Sequence, residues 1–248
     1  MPSVVSSESV LEDGVEVGQF TIIHPGVTVK RRTVIGNFCE LGSPAGESLV
    51  IGERSLVRSY TNIQGGSQFG PGLQTGQYTM IRGGTQVGRD LQVGSNCELQ
   101  GSITIGDHVR IQSGVHLGKG TSIGHFVWIF PNVLTVNDPL PPSNIHLAHS
   151  FGDLSCVAAN SLLMPGIAIG RGAFVGASSV VRHDVAEGDC VVGDPAKSFA
   201  RIDRLISMEH QITHPWPRHF TRGLDEEGIS RARSIMNEIL EVIRNGKK

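Results

Sequence analysis

Residues 91–124 read LQVGSNCELQGSITIGDHVRIQSGVHLGKGTSIG, and this segment decides the fold. Every sixth residue from Val93 onward is aliphatic. The same phase runs from Ile51 to Ile129, where twelve of fourteen such positions hold Val, Ile or Leu. The residue two positions earlier is usually small or apolar, and positions i−2 and i share one face of a strand. Each hexapeptide therefore predicts a short strand with two inward side chains, followed by a corner.

Two further runs repeat the pattern in other phases, from Val17 to Leu41 and from Val157 to Val181. Glycine commonly follows the aliphatic residue, and several of these glycines are 18 residues apart. Three hexapeptides would then close one triangular coil, with glycine relieving the backbone at the corner. About 24 hexapeptides predict an all-β protein, a parallel β-helix of about eight coils. A β-sandwich would not keep a six-residue register over so many units.

Composition narrows the class of protein. The chain has 248 residues with 32 glycines and 5% aromatics. Its net charge of -2 does not indicate binding to nucleic acid or to an anionic membrane. No apolar run is long enough to span a bilayer, and the N-terminus lacks the features of a signal peptide. The four cysteines have no CxxC spacing. We expect a cytoplasmic protein with reduced cysteines.

Two segments break the register. SPAGES at residues 43–48 predicts a short bulge or loop, and residues 135–155 predict a long loop that carries Asn137, Asp138, three prolines, His146 and His149. Long excursions from a solenoid are often functional, although a purely structural excursion stays open. We therefore predict a β-helix over residues 1–200 with its loop at 135–155, and a C-terminal tail over residues 201–248.

The tail differs in composition from the repeats. Apolar residues at helical spacing predict a helix from about Asp225 to Arg244, with acidic residues at its start and Gly246 at its end. This helix could cap an open end of the solenoid or contact another subunit.

The hexapeptides, the loop after Leu134 and the ending VVGDPAK at residues 191–197 resemble the left-handed β-helix acyltransferases over about residues 10–205. RIQ at residues 110–112 and VNDP at residues 136–139 resemble the nucleotide-sugar N-acetyltransferases within that group. The resemblance implies a left-handed coil and a homotrimer. It also implies acyl-CoA, such as acetyl-CoA, in a groove between subunits and a nucleotide-linked amino sugar under the loop. Serine, galactosides, chloramphenicol and lipid A precursors are acylated on the same scaffold.

Amine acylation needs an oriented amine, hydrogen bonds to an oxyanion and removal of one proton. His116 and His125 lie in the hexapeptides before the loop and are the candidate bases, while His24, His108 and the histidines at 210–219 are interpreted as surface or cap residues. The resemblance places a catalytic histidine where this chain has Lys119. A charged lysine is a poor base, so Lys119 is interpreted as a partner for a phosphate.

The resemblance also places Asn137 beside the reacting amine. If no base is needed, His125 could act as an orienting residue, and Asp138 could bind the sugar amine or a hydroxyl. Asn-Asp-Pro is equally a good turn starter. For acyl-CoA, the resemblance implies backbone contacts near Ala159, Asn160 and Ala177, and phosphate contacts from Lys197 and Arg201; both cations could instead be solvated.

Three other functions remain open. The chain could acylate another small amine or alcohol, or act as a metal-dependent hydratase like the γ-type carbonic anhydrases. That hydratase chemistry needs three histidines around zinc, and His116 and His125 have no obvious third partner. A non-catalytic scaffold is the last alternative. No metal is expected, and no Walker or dinucleotide loop suggests ATP or NAD.

Overall fold

The computed structural model describes residues 2–206, 221 and 223–245. The chain divides into two compact units, Met1–Ser122 and Ile123–Lys248. In each unit, strands of mostly two residues pair in parallel with the strand three places later in the chain, so that successive strands fall in turn on three sheets. This arrangement confirms the predicted parallel β-helix of hexapeptide repeats. The division of the chain at residue 200 stays a prediction.

The strands of the first unit, with β20 at the boundary, are β1 (Val4–Val5), β2 (Val10–Leu11), β3 (Glu16–Val17), β4 (Ile22–Ile23), β5 (Val27–Val29), β6 (Val34–Ile35), β7 (Glu40–Leu41), β8 (Leu49–Ile51), β9 (Leu56–Val57), β10 (Asn62–Ile63), β11 (Ser67–Phe69), β12 (Gln74–Thr75), β13 (Met80–Ile81), β14 (Gln86–Val87), β15 (Gln92–Val93), β16 (Glu98–Leu99), β17 (Thr104–Ile105), β18 (Arg110–Ile111), β19 (His116–Leu117) and β20 (Ser122–Ile123).

The second unit has β21 (Trp128–Ile129), β22 (Leu134–Thr135), β23 (Ser150–Phe151), β24 (Cys156–Val157), β25 (Leu162–Leu163), β26 (Ala168–Ile169), β27 (Phe174–Val175), β28 (Val180–Val181), β29 (Asp189–Val192), β30 (Lys197–Arg201), a 3-10 helix (Ile202–Arg204) and the helix α1 (Glu226–Asn245). Strands β1–β18 alone make six triplets and β21–β29 make three more, so the chain has more coils than the eight expected. The count of 24 repeats left out five strands, which are β1 and β2 before Val17, β22 and β23 on either side of the long loop, and β29.

The inward side chains form the core of each unit. Ile63, Ile81 and Leu99 occupy equivalent positions in successive coils and are completely buried. Fully burying one such side chain contributes about 1.5–3 kcal/mol, so the stacked aliphatic residues are the main source of stability. The periodicity predicted this core correctly.

The glycines that follow the aliphatic residues have a different role from the one expected. Gly94 does not have a positive φ, but a Cβ there would lie 2.3 Å from the backbone nitrogen of Ser113 in the next coil. Glycine is therefore required because adjacent coils approach closely. The left-handed conformation falls two residues later, often on non-glycine residues such as Phe38 and Asn96.

One corner of the first unit carries four stacked aromatic rings. Phe20, Phe38, Tyr60 and Tyr78 follow one another with ring centroids 4.8, 5.0 and 4.7 Å apart and nearly parallel planes. All four are exposed and have positive φ values. Stacking contributes about 0.5–1.5 kcal/mol per pair beyond burial, which offsets part of the backbone strain.

Both register breaks are loops at a turn between two successive strands of a coil. Paired residues are normally 18 apart, but Glu40 pairs with Asn62, 22 residues on, across the SPAGES segment. Leu134 pairs with Leu162, 28 residues on, across the long loop. This loop ends earlier than expected, since Ser150 and Phe151 form β23 and Phe151 is buried. Residues 150–155 therefore belong to the β-helix, and the loop covers residues 136–149.

The helix α1 lies along a corner of the second unit rather than over an open end of the solenoid, and its expected contact with another subunit stays a prediction. Its residues Ala232, Met236, Ile239 and Ile243 pack against the corner residues, which include Phe126 and Leu154. Gly172 lies at the same corner with a φ of +61°, and a Cβ there would lie 3.0 Å from Ile239. The helix begins as predicted, with the Asp225 carboxylate accepting from the Gly228 N–H at 2.8 Å. Its predicted end at Gly246 lies outside the described residues.

Candidate functional site

His125 is half-buried at the corner that α1 covers. Its Nε2 lies 2.9 Å from Nη2 of Arg231 on α1, and its backbone N–H donates to the Asp153 carboxylate at 2.7 Å. A guanidinium can only donate, so Nε2 is the acceptor and the neutral imidazole carries its proton on Nδ1. The lone pair that a general base would use is therefore engaged by Arg231. This contact favours the orienting interpretation of His125.

His116 and Lys119 belong to the first unit. His116 lies on β19, half-buried on the outward face, in register with Glu98 of β16. Lys119 is exposed in the turn that follows. Its exposure is compatible with a charged ammonium that meets a phosphate, and the roles of both residues stay predictions.

Asn137 lies at the start of the long loop and is half-buried. Its carbonyl accepts a hydrogen bond from the Leu147 N–H at 2.8 Å, which draws the two ends of the loop together. Its side chain makes no hydrogen bond to the residues that the structure describes. The amide is thus available for a ligand, as its predicted role requires.

Asp138 is engaged inside the loop. Its carboxylate accepts from the Ser143 N–H and hydroxyl, both at 2.7 Å, and from the Leu140 N–H at 3.0 Å. These bonds, that from the Ser143 hydroxyl first, hold the pKa of the Asp138 carboxyl below its ordinary value. These contacts are those of a turn-forming residue, which is the alternative that the Asn-Asp-Pro pattern also predicted. Sugar binding by Asp138 stays a prediction.

His149 closes the loop from inside the coil. It is only 2% exposed, and its Nε2 donates to the Met164 carbonyl at 3.0 Å, while Nδ1 is buried without a hydrogen-bond partner among the described residues. Burial lowers the pKa of His149. His149 occupies the inward position two residues before Phe151, so it is a neutral core histidine.

Ala159, Asn160 and Ala177 lie together at one corner of the second unit, as the sequence interpretation requires. The Ala159 carbonyl accepts from the Ser178 N–H at 2.8 Å, and the Asn160 amide oxygen accepts from Asn132 at 3.2 Å. Asn160 and Ala177 are exposed. This corner therefore offers accessible backbone and small side chains, and its role in binding acyl-CoA stays a prediction.

Lys197 and Arg201 lie at opposite ends of β30, which pairs antiparallel with β29. Arg201 lines a cavity of about 730 Å³ together with Arg204, Phe199 and Val242, whereas Lys197 does not line it. Two cations beside exposed apolar side chains suit a ligand with phosphate and apolar parts. The sequence interpretation missed Arg204, although the spacing RIDR places Arg201 and Arg204 on one side of a 3-10 turn.

Other residues also differ from expectation. His108 is 8% exposed, with Nδ1 3.2 Å from the Asp90 carboxylate, and His24 is bonded to Glu40 at 2.9 Å, so neither is a freely solvated surface residue. The histidines at 210–219 lie outside the described residues. No sequence signal pointed to Arg231, because it is separated from His125 by 106 residues.

Residues 84–119, from β14 to β19, match the family model described as "Bacterial transferase hexapeptide (six repeats)". This segment is a hexapeptide array similar to those of bacterial transferases. A 2,3,4,5-tetrahydropyridine-2,6-dicarboxylate N-acetyltransferase of Clostridium perfringens is 38% identical over 56 residues, 23% of this chain and 24% of that protein. The corresponding protein of Staphylococcus aureus is 32% identical over 56 residues, 23% of each chain. The protein thus spans about a quarter of the length of the curated relatives it matches.

Solved structures with the same repeats include a hexapeptide-repeat acetyltransferase of Vibrio cholerae complexed with acetyl coenzyme A. It is 27% identical and covers 48% of this chain and 70% of its own, with a TM-score of 0.44. The UDP-N-acetylglucosamine acyltransferase of Campylobacter jejuni is 15% identical and covers 92% of this chain and 81% of its own, with a TM-score of 0.45.

Two features are absent from residues 2–206, 221 and 223–245. Neither a helix long and apolar enough to cross a membrane nor a group of three His, Cys, Asp or Glu side chains placed to hold a metal ion occurs within them.

Proposed function

We propose that the protein is a CoA-dependent N-acyltransferase that acetylates the amino group of a nucleotide-linked amino sugar. The observation that carries the acyl-transfer part is the hexapeptide array at residues 84–119, which is similar to those of bacterial transferases, supported by relatives that are named N-acetyltransferases. The nucleotide-sugar part rests on the resemblance of RIQ at residues 110–112 and VNDP at residues 136–139 to enzymes that act on such acceptors.

The reaction is an amide-forming substitution. The neutral amine attacks the thioester carbonyl carbon, a C–N bond forms, and the C–S bond breaks. The nitrogen loses one proton and the departing CoA sulfur gains one, so the products are the amide and the free thiol. Because the sulfur can take that proton, the chain must mainly orient the amine and stabilise the oxyanion.

We assign the orienting role to Asn137, whose side-chain amide is not engaged by the described residues and stands at the start of the loop. His125 is assigned an orienting role rather than that of a base, since Arg231 occupies its lone pair. His116 stays a candidate base, and Lys119 a candidate phosphate contact. Acetyl-CoA would use the corner at Ala159, Asn160 and Ala177.

The phosphates of acetyl-CoA would contact Arg201 and Arg204, which line one cavity, and Lys197 would be a further contact. An acyl-CoA groove open on one β-helix needs a second subunit to close it, so we also propose a homotrimer with three equivalent sites. Sedimentation that finds a stable and active monomer would overturn the trimer.

A second candidate is the acetylation of a small amine that carries carboxylates. The observation that favours it is the similarity to N-acetyltransferases named for a dicarboxylate acceptor. An assay that follows release of the CoA thiol distinguishes the two candidates. It would offer nucleotide-linked amino sugars, free amino sugars and amino acids with two carboxylates, each with acetyl-CoA, and the nucleotide-linked class should react fastest.

The same assay tests Asn137. Asn137→Ala should lose more activity than His125→Asn or His116→Asn, whereas an obligatory base would cost about 10²-fold or more on its own. Asn144→Ala in the same loop is the matched control, because Asn144 is exposed, and it should retain normal turnover. A near-normal Asn137→Ala variant would refute the orienting role. No thiol release with any acceptor would refute acyl transfer.

A further inference from the structure

A polar cavity of about 350 Å³ opens on the outward face of the sheet that contains β9, β12, β15 and β18 in the first unit. It is lined by side chains that donate hydrogen bonds, among them Arg58, Gln74, Gln92, Arg110 and Gln112. Its volume is at the low end of the range for small-molecule sites, which is about 300–1,000 Å³. Arg110 and Gln112 belong to the RIQ segment whose resemblance supports a nucleotide-sugar acceptor, but none of the candidate catalytic or acyl-CoA-binding residues lines it.

The cavity exists because one row of side chains is interrupted. Arg58, Gly76, Gly94 and Gln112 stand two residues after paired strand positions and form one row across four coils. A Cβ at Gly76 would lie 2.2 Å from the Ser95 nitrogen, and one at Gly94 would lie 2.3 Å from the Ser113 nitrogen. Both positions must therefore be glycine. The row has two gaps, with Arg58 at one end and Gln112 at the other.

The charge of this cavity is positive. Arg58 is exposed, and its guanidinium forms no ion pair with the residues that the structure describes. The outward row beside it carries Gln74 and Gln92, exposed amides that likewise make no hydrogen bonds within the described chain, and ends at Arg110. No carboxylate is among the described residues that line the cavity. Guanidinium groups bind phosphate and carboxylate oxygens in a two-pronged geometry.

We propose that this cavity binds a small anionic ligand through its phosphate or carboxylate groups. Arg58 and Arg110 stand three coils apart, roughly 14 Å at about 4.8 Å per coil, and long side chains can reach inward from both ends. The site suits an elongated ligand with negative groups at or near both ends and hydrogen-bonding atoms between them for the glutamine amides. The proposal does not depend on acyl transfer, because binding is measured without acetyl-CoA.

Calorimetry of the full chain at low ionic strength, with inorganic pyrophosphate and with adipate as separate probes, tests the proposal. At least one probe should bind, and the tighter one identifies phosphate or carboxylate as the preferred group; glucose should not bind. Arg58→Ala should raise the Kd by about tenfold or more. Arg58→Lys should raise it by less, since lysine keeps the positive charge but lacks the paired N–H donors of the guanidinium. The matched control is Arg89→Ala, which removes an exposed arginine outside the cavity and should leave the Kd unchanged.

A second control separates this site from the cavity of the second unit. The double variant Arg201→Ala, Arg204→Ala should still bind the probe with the original Kd, because neither residue lines the cavity at Arg58. Loss of binding in that variant would place the anion elsewhere and overturn the proposal. It would also be overturned if neither probe bound the unmodified protein, or if Arg58→Ala bound as tightly as Arg89→Ala. Failure of acetylation with normal probe binding would instead refute only the proposed function.

Discussion

Nη2 of Arg231 donates to Nε2 of His125 across 2.9 Å, and this bond joins the C-terminal helix to a coil that lies 106 residues earlier in the chain. Arg171 joins α1 to the same unit by a second route, through Glu187 at 2.8 Å and Glu238 at 3.1 Å. Beneath these polar contacts lie the buried Ile239 and Ile243. Apolar packing therefore dominates the attachment of the helix, and the Arg231 bond fixes the state of one imidazole.

Arg231→Ala should shift the tautomer of His125 with little loss of stability. Without the guanidinium, Nε2 is free to carry the proton, and ¹⁵N NMR should show the change from the Nδ1–H form. The bond is exposed, so its loss should cost less than about 1 kcal/mol. Ile239→Ala should cost about 2–5 kcal/mol because it opens a cavity under the helix.

Arg233→Ala is the control for Arg231→Ala, because Arg233 is exposed on the same helix. It should leave the His125 signals unchanged. Identical His125 spectra in the Arg231→Ala and unmodified proteins would show that the contact does not set the tautomer. Faster acyl transfer in Arg231→Ala would reinstate His125 as the base.

Gly172→Ala should destabilise the protein more than Gly14→Ala. Both glycines have positive φ, so both variants incur the left-handed strain of about 1–2 kcal/mol. At Gly172 the new Cβ also meets Ile239 at 3.0 Å, whereas at Gly14 the nearest atom is 3.7 Å away. Urea denaturation measures the difference, and equal unfolding free energies would contradict the close approach of α1.

Replacing residues 138–146 with Gly-Ser should leave the β-helix folded. The Asn137 carbonyl and the Leu147 N–H are already 2.8 Å apart, and a two-residue link converts their hydrogen bond into that of a β-turn. Thr135 and His149, which are buried in the coil, are retained. Circular dichroism should therefore show a cooperative transition, while acyl transfer should be abolished. Normal turnover would show that the loop has no part in the proposed reaction.

His149 should make the stability depend on pH below neutrality. Burial lowers its pKa from the ordinary value of 6.5, so only the unfolded state takes up a proton as the pH falls through that value. The unfolding free energy should decrease by up to about 1.4 kcal/mol per pH unit until the folded protein is also protonated. His149→Gln should flatten this slope, while His146→Gln, at an exposed position, should not. Equal slopes in all three proteins would contradict the assignment.

The sequence predicted the core of inward aliphatic side chains because a six-residue repeat is a local property of the chain. It placed the loop end too late because Phe151 is aromatic where most repeats hold an aliphatic residue, so the returning register was hidden. The helix was predicted from its periodicity to within a residue or two. Its docking corner was not, since the contacts of Gly172 with Ile239 and of His125 with Arg231 join distant segments without any shared pattern.

The candidate site was predicted less completely than the fold. The side chain of Asn137 and the corner at Ala159, Asn160 and Ala177 are accessible, and their roles stay predictions. Asp138 accepts hydrogen bonds within its own turn, and the cavity at Arg201 is also lined by Arg204, which the sequence interpretation missed. Side-chain partners of this kind depend on loop conformation and on the hairpin of β29 and β30, which a repeat pattern does not encode.

The pairing distances of 18, 22 and 28 residues have an evolutionary consequence. Extra residues enter at a turn and the chain rejoins the same register, so the 4 or 10 additional residues alter no inward position. The coils, which stabilise the protein, and the loops, which we expect to determine specificity, can therefore change independently during evolution. A lineage could exchange residues 138–146 for a segment of another length, and so acquire a new acceptor, without repacking a single coil, because the buried Thr135 and His149 would stay in place.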